Sequence, residues 1–103
     1  MSVTIVATVR PVPEHRAEVI AAFEEAIPAV HANDEGCELY SLQEGDDRLV
    51  MIEKWASADA IRAHSKSPAL LTLVERLEGK LVSPMDVQML RPHPAGTAEH
   101  GTL

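Results

Sequence analysis

The sequence predicts an α+β domain in which two helices cover one face of a four-stranded antiparallel sheet. Three observations carry that expectation. The chain begins with a β-branched alternating run, its middle holds two strand-like segments separated by a tight polar turn, and two stretches of helical apolar periodicity flank that hairpin. The expected order is strand, helix, strand, strand, helix, strand.

Residues 3–10 alternate with a high density of Val, Ile and Thr, as a strand packed on at least one face does. Pro11 and Pro13 end it, and Pro13 with Glu14 suits a first helical turn, where a missing N–H costs nothing and a carboxylate meets the positive end of the dipole. Val19, Ile20, Phe23, Ile27 and Val30 then recur at three- and four-residue steps. Pro28 lies inside this stripe and predicts a kink, or an early end near Ala26 followed by a further turn.

Asn33 to Gly36 close the helix, and residues 37–44 and 48–55 read as strands joined by a turn at Gly45, Asp46 and Asp47. The second of these, LVMIEKW, is the most β-prone stretch in the chain and is expected at the centre of the sheet. Ser57 is a candidate N-cap for a short helix through Ala60, Ile61 and His64. Ser67 and Pro68 read as a fresh N-cap and first position, opening a helical piece with Leu70, Leu71, Val74 and Leu77 inward and Gly79 as the stop.

Residues 82–90 form the last expected strand, and the Pro- and Gly-containing remainder has no core of its own. The domain is therefore expected over residues 1–92 and a C-terminal arm over residues 93–103. The element order is the split βαβ arrangement of ferredoxin-like folds. Strand two offers Leu39 and Ser41 on one side and Tyr40 and Leu42 on the other; strand four offers Met85, Val87 and Met89 against Pro84 and Leu90. Both sheet faces thus carry large apolar groups. An apolar sheet face of that size is an aggregation hazard on a monomer, so a two-fold dimer with facing sheets in a barrel-like core is expected.

Composition narrows the function. A chain of 103 residues buries about two thirds of its unfolded surface, and a dimer supplies the missing core. The net charge of -7 argues against nucleic acid and anionic membrane surfaces as partners. Cys37 is the single cysteine, so no internal disulfide forms, and the first residues lack the basic start and apolar core of a signal peptide. No window approaches about 18 unbroken apolar residues. A soluble cytoplasmic protein is the expectation.

No dinucleotide fingerprint, P-loop, zincin motif or paired cysteine motif is present, and the five histidines lack spacing that brings two imidazoles to one metal. Neither a metal nor an organic cofactor is expected. His64 follows Ile61 by three residues and so points toward the sheet, where an imidazole moves protons or simply sits hydrogen-bonded at a boundary. His31, near the first helix's C-terminus, is a candidate ligand contact or a helix-end charge. Tyr40 and Trp55 lie on neighbouring strands and either wall a pocket or fill the core. Glu53, inside an apolar strand, is expected in an ion pair with a cation such as Arg10, or else with a raised pKa. Cys37 reads as an inert thiol.

The ordered set Glu35-Gly36-Cys37 with Tyr40, then Glu53 with Trp55, then Ala63-His64 with Ser67-Pro68 resembles the antibiotic-biosynthesis-monooxygenase family, over nearly the whole of residues 3–92. The resemblance implies a dimeric α+β barrel and an enzyme that oxidises a quinol or polycyclic phenol with molecular oxygen and no cofactor. Triplet oxygen reacts slowly with paired-electron molecules, so a deprotonated, electron-rich phenol must supply the first electron. The protein then provides a dry apolar chamber, a base and donors for an oxygen-centred anion. On motif position, the resemblance makes His64 the candidate base and Tyr40 a donor or substrate contact, with Trp55, Met51, Met89 and His31 around the substrate.

A related group in the superfamily degrades haem, and its pattern calls for an Asn on the first strand and a His on the last helix. Thr8 stands near the first position, and residues 68–79 hold no histidine, so the sequence departs from that group. Two other readings remain open at this level: an isomerase of a small metabolite, needing a base and an anion site but no oxygen, and a non-catalytic module that binds a small aromatic.

Overall fold

A computed structural model describes residues 2–103. Strands β1 (Val3–Val9), β2 (Cys37–Glu44), β3 (Leu49–Trp55) and β4 (Asp86–Leu90) form one antiparallel sheet in the order β2-β3-β1-β4. Helix α1 (Arg16–Asn33) crosses from β1 to β2, and α2 (Ala58–His64) and α3 (Pro68–Leu77) return from β3 toward β4. This is the ferredoxin-like order predicted, with LVMIEKW central. A short helix, α4 (Ala98–Gly101), ends the chain with no buried residue. No helix among the described residues is long and apolar enough to cross a membrane.

Alternation along the central strands sets the core. Ile5, Ala7 and Val9 on β1 face Glu53, Met51 and Leu49 on β3, and all are buried beneath the helices. The intervening Thr4, Val6, Val50, Ile52 and Lys54 lie on the opposite face and are half-buried. In β2 a bulge between Cys37 and Leu39 inserts one residue, so that Cys37 pairs with Trp55 and Tyr40 pairs with Glu53. Without the extra residue those two side chains, three apart, would point to opposite faces; with it, both meet the helices.

Three expectations are corrected. Helix α1 does not end near Ala26 but runs through Pro28 to Asn33. Pro28 and Glu24, whose carbonyl loses its intrahelical donor, are both exposed, so water can serve that oxygen while Phe23, Ala26 and Val30 hold the buried side. On α3, Leu71 and Val74 are exposed, and Leu73 joins Leu77 in the core. The last strand starts at Asp86 rather than Val82: Pro11 bridges to Leu81, the Val82 amide donates to the Arg10 carbonyl at 2.7 Å, and Ser83-Pro84, with no N–H on Pro84, interrupts pairing.

Both predicted caps form: Ser57 Oγ accepts from the Ala60 amide at 3.1 Å and Ser67 Oγ from the Leu70 amide at 3.3 Å. Gly36 closes the α1–β2 connection with φ +80°, and its carbonyl accepts from the Ala56 amide at 2.8 Å. A side chain there would meet the Ala60 methyl at 2.6 Å. Gly36→Ala therefore combines left-handed strain with overpacking and is expected to cost on the order of 3 kcal/mol. Urea unfolding measures this, with partial rescue in the Gly36→Ala, Ala60→Gly double variant; a wild-type midpoint for the single variant would exclude the contact.

Candidate active site

The helix-covered face of the sheet does not close completely on the helices. A cavity of about 220 Å³ remains, walled by Ile5, Ala7, Met51, Phe23, Leu70 and Leu73 among others. Three titratable groups break this apolar lining, Tyr40 from β2, Glu53 from β3 and His64 from the last turn of α2, while the hydroxyl of Ser65, also on the wall, donates to the Arg62 carbonyl at 2.7 Å. They come from three elements, and strand register together with α2's packing against the sheet makes them neighbours.

His64 is 6% exposed and held on both sides. Its ring lies against the Trp55 indole, with centroids 4.4 Å apart and planes tilted by 34°, and Tyr40 meets it edge-on at 5.4 Å. Its Nδ1 donates to Asp34 Oδ2 at 2.6 Å, and the Ser67 hydroxyl donates to the same oxygen at 3.0 Å. Asp34 is the residue that follows α1, so the carboxylate joins the end of that helix to α2 and to the cap of α3. With Nδ1–H committed to Asp34, Nε2 is the nitrogen left to accept a proton.

Glu53 is equally buried, at 6% exposure. The expected ion pair with Arg10 does not form: Arg10, just past the end of β1, lies five residues from Ile5, the partner of Glu53 in the sheet, or roughly 16 Å at strand rise. Its hydrogen-bond partner is instead the Trp55 indole, whose Nε1–H donates to Oε1 at 2.8 Å. Burial raises the Glu53 pKa, and the indole hydrogen bond and His64 oppose that shift. Burial also pushes the Tyr40 phenol well above its ordinary value, with Glu53 and Asp34 adding to the shift. Tyr40 is thus a neutral donor near pH 7. Cys37 is likewise raised, by burial first, and so is a thiol rather than a thiolate.

Of the residues singled out from sequence, His64, Tyr40 and Met51 line the cavity. Trp55, fully buried, stands behind His64 and Glu53 and does not line it. Met89 is also absent from the wall: it is 58% exposed on edge strand β4, beyond the reach of the helices, although its register with Ile5 puts it on the same face. His31 lies outside as well, because its Nε2–H donates to the Tyr40 backbone carbonyl at 3.0 Å, a structural tie between α1 and the sheet edge. Sequence reasoning missed Asp34 as the partner of His64 and expected Glu53 in an ion pair. Glu53's phase with Met51 and Trp55 was a usable signal, whereas nothing local linked Asp34 to a histidine 30 residues away. No cluster of three or more potential metal ligands occurs among the described residues.

The raised Glu53 pKa predicts a pH-dependent stability. The folded state holds this proton more tightly than the unfolded chain, so the Glu53 contribution is fully present below the ordinary carboxylate pKa and is lost as pH rises through the folded value. Glu53→Gln is expected to raise the melting temperature relative to wild type at neutral pH, with the difference shrinking toward pH 4. Thermal melts across that range test this; a constant offset would remove Glu53 as the source.

Residues 2–76 match the family described as "Antibiotic biosynthesis monooxygenase". The chain is similar to "Probable quinol monooxygenase YgiN" of Escherichia coli, with 30% identity over 102 residues, covering 86% of this chain and 96% of the relative. It is also similar to Rv0793 of Mycobacterium tuberculosis, with 32% identity over 92 residues, covering 87% and 90%. The solved structure of Rv0793 superposes with a TM-score of 0.86, covering 94% of this chain and 100% of the other at 26% identity. A conserved protein from Methanosarcina mazei shares the fold alone, with a TM-score of 0.81 at 20% identity over 88% of this chain and 92% of its own.

Proposed function

The chain belongs to the antibiotic biosynthesis monooxygenase family, and from that premise we propose that it oxidises a quinol or fused-ring phenol with molecular oxygen, the electrons coming from the deprotonated substrate itself. The observation that carries this reading is His64, buried at the wall of an apolar cavity with Nδ1 fixed by Asp34. A base in an apolar chamber is the group on which the first step of that chemistry depends.

In the proposed sequence, His64 Nε2 takes the phenolic proton and the ring becomes an electron-rich anion. That anion passes one electron to oxygen, the radical pair joins at a ring carbon, and the resulting peroxide is protonated. Loss of water then leaves a carbonyl. The substrate gives up two hydrogens and gains one oxygen atom, and the second oxygen leaves as water. Tyr40, a neutral donor, hydrogen-bonds the oxygen-centred anion as it forms. The cavity, at about 220 Å³, is smaller than the roughly 300–1,000 Å³ usual for ligand sites, and this favours one or two rings over four.

Oxygen uptake by the purified protein with naphthoquinols and anthrone-like phenols tests the reading. Uptake above autoxidation is expected, falling about 10²–10⁴-fold in His64→Ala and at least about tenfold in Asp34→Asn, which leaves the imidazole without its anionic anchor. Uptake unaffected by His64→Ala would discard His64 as the base. One observation favours a second reading: Glu53 and His64 face the same cavity, and two proton-handling groups are what an isomerase moving hydrogen between adjacent carbons needs. Substrate turnover without oxygen consumption would decide for it.

We further propose a two-fold dimer through the uncovered sheet face, where Val6, Leu39, Val50 and Ile52 are only half-buried by their own chain and Leu90 is exposed. In this assembly residues 93–103 act as an arm outside the domain of residues 1–92. Sedimentation at micromolar concentration is expected to give the dimer mass, and a Val50→Lys, Ile52→Lys variant the monomer mass; a wild-type monomer would overturn the assignment.

A further inference from the structure

Glu53 is a buried ionisable group that the proposed oxidation does not use. Its Oε1 accepts from the Trp55 indole at 2.8 Å, and no Lys, Arg or His pairs with it among the described residues. Oε2 has no protein hydrogen bond there either. Among the described residues no buried side-chain oxygen is left without a partner, so Oε2 is not sealed in the core. Since Glu53 is a wall residue, the open space beside Oε2 is the cavity.

The groups that face Glu53 are His64 from α2, Tyr40 and Cys37 from β2, and the Trp55 indole from its own strand, with Asp34 beyond His64. The wall supplied by β1, α1, α3 and the segment before β4 is apolar: Ile5, Phe23, Leu70, Leu73 and Met85. A charged carboxylate in such a place needs a cation, and none pairs with it. A neutral acid needs an acceptor for its hydroxyl, and since no protein group accepts from Oε2 among the described residues, that role is left to a molecule in the cavity.

We propose that Glu53 binds substrate as a neutral carboxylic acid, Oε2–H donating to one ring oxygen while His64 serves a second. The Trp55 indole fixes the tautomer, because its N–H requires Oε1 to remain the acceptor and leaves the proton to Oε2. The substrate class narrows accordingly: the ring must carry two oxygens, an acidic hydroxyl at His64 and an acceptor at Glu53, as a quinol does and a simple phenol does not. This inference rests on the reading of the cavity as the substrate chamber.

The test uses duroquinone, whose carbonyl oxygens only accept hydrogen bonds and whose fully methylated ring resists thiol addition. Trp55 is the single tryptophan, so quenching of its fluorescence reports binding without any turnover. Wild type is expected to bind at acid pH and to lose about tenfold in affinity as pH rises and Glu53 ionises. Glu53→Gln, which keeps a donor and cannot ionise, should bind within about threefold of wild type at acid pH; in a His64→Ala background, where no imidazole meets the second carbonyl, it should show no such loss while the Glu53 protein still does. Glu53→Leu should be about tenfold weaker at acid pH, with thermal melts confirming its fold. Absence of quinone binding by wild type, or a pH dependence that survives in Glu53→Gln when His64 is also replaced by Ala, would overturn the proposal. Because no oxygen is consumed in this assay, the Glu53 pH signature seen alongside a failure of oxygen uptake would remove the oxygenase reading and leave the Glu53 assignment standing.

Discussion

The contact of 2.6 Å between Asp34 and His64 is where the chain's three helices of the sheet layer meet. Asp34 takes the position after the last turn of α1, His64 is the last residue of α2, and Ser67, which shares the same carboxylate oxygen, caps α3. All three donors and acceptors are satisfied within the protein, so one carboxylate fixes a helix end, a ring orientation and a helix start. Removing it would leave a buried imidazole N–H and a hydroxyl without their acceptor, which costs more than the contact itself contributes. The tautomer of His64 follows from this contact, and with it the availability of Nε2.

The site therefore rests on constraints that are mostly structural in kind. Trp55 lies fully buried, packs its ring on His64 and gives its N–H to Glu53, so a single core residue contacts both buried ionisable side chains. The bulge at the start of β2 turns Tyr40 toward the same space, and Gly36, pressed against Ala60, sets how closely the α1–β2 connection approaches α2. None of these features is chemical by itself. Together they hold three polar groups at the wall of an apolar cavity, where water is scarce and electrostatic interactions are strong.

The uneven cover of the sheet has a physical cause as well. Three helices span β2, β3 and β1, and β4 lies at the edge beyond them, so Val87 and Met89 stay more than half exposed although they share a face with buried Ala7 and Ile5. Among the described residues, α1, α2 and α3 all lie on the face of Ile5, Ala7 and Val9, and the opposite face is left half-buried. A small domain with both an open edge and an open face has apolar surface to hide, and this is the energetic ground for the proposed dimer.

Local pattern in the sequence determined the elements of this protein: β-branched alternation gave the strands, serine caps before Ala58 and Pro68 gave the starts of α2 and α3, and Gly36 and Gly79 gave the stops. These signals are short-range, because backbone geometry and capping are settled within a few residues. The inward placing of His64 and Glu53 was legible for the same reason, as a matter of phase. Whether α1 survived Pro28 was not, since that turned on which side of the helix faced water. Nor was the choice between Leu71 and Leu73 on α3, which depended on the angle at which the helix met its neighbours. The partners of the site residues were decided by tertiary structure alone: Asp34 reaches His64 across 30 residues of sequence, and Trp55 rather than Arg10 answers Glu53. Hydrogen bonds between side chains need positions fixed to a fraction of an ångström, and only the packed register of sheet and helices fixes them so closely.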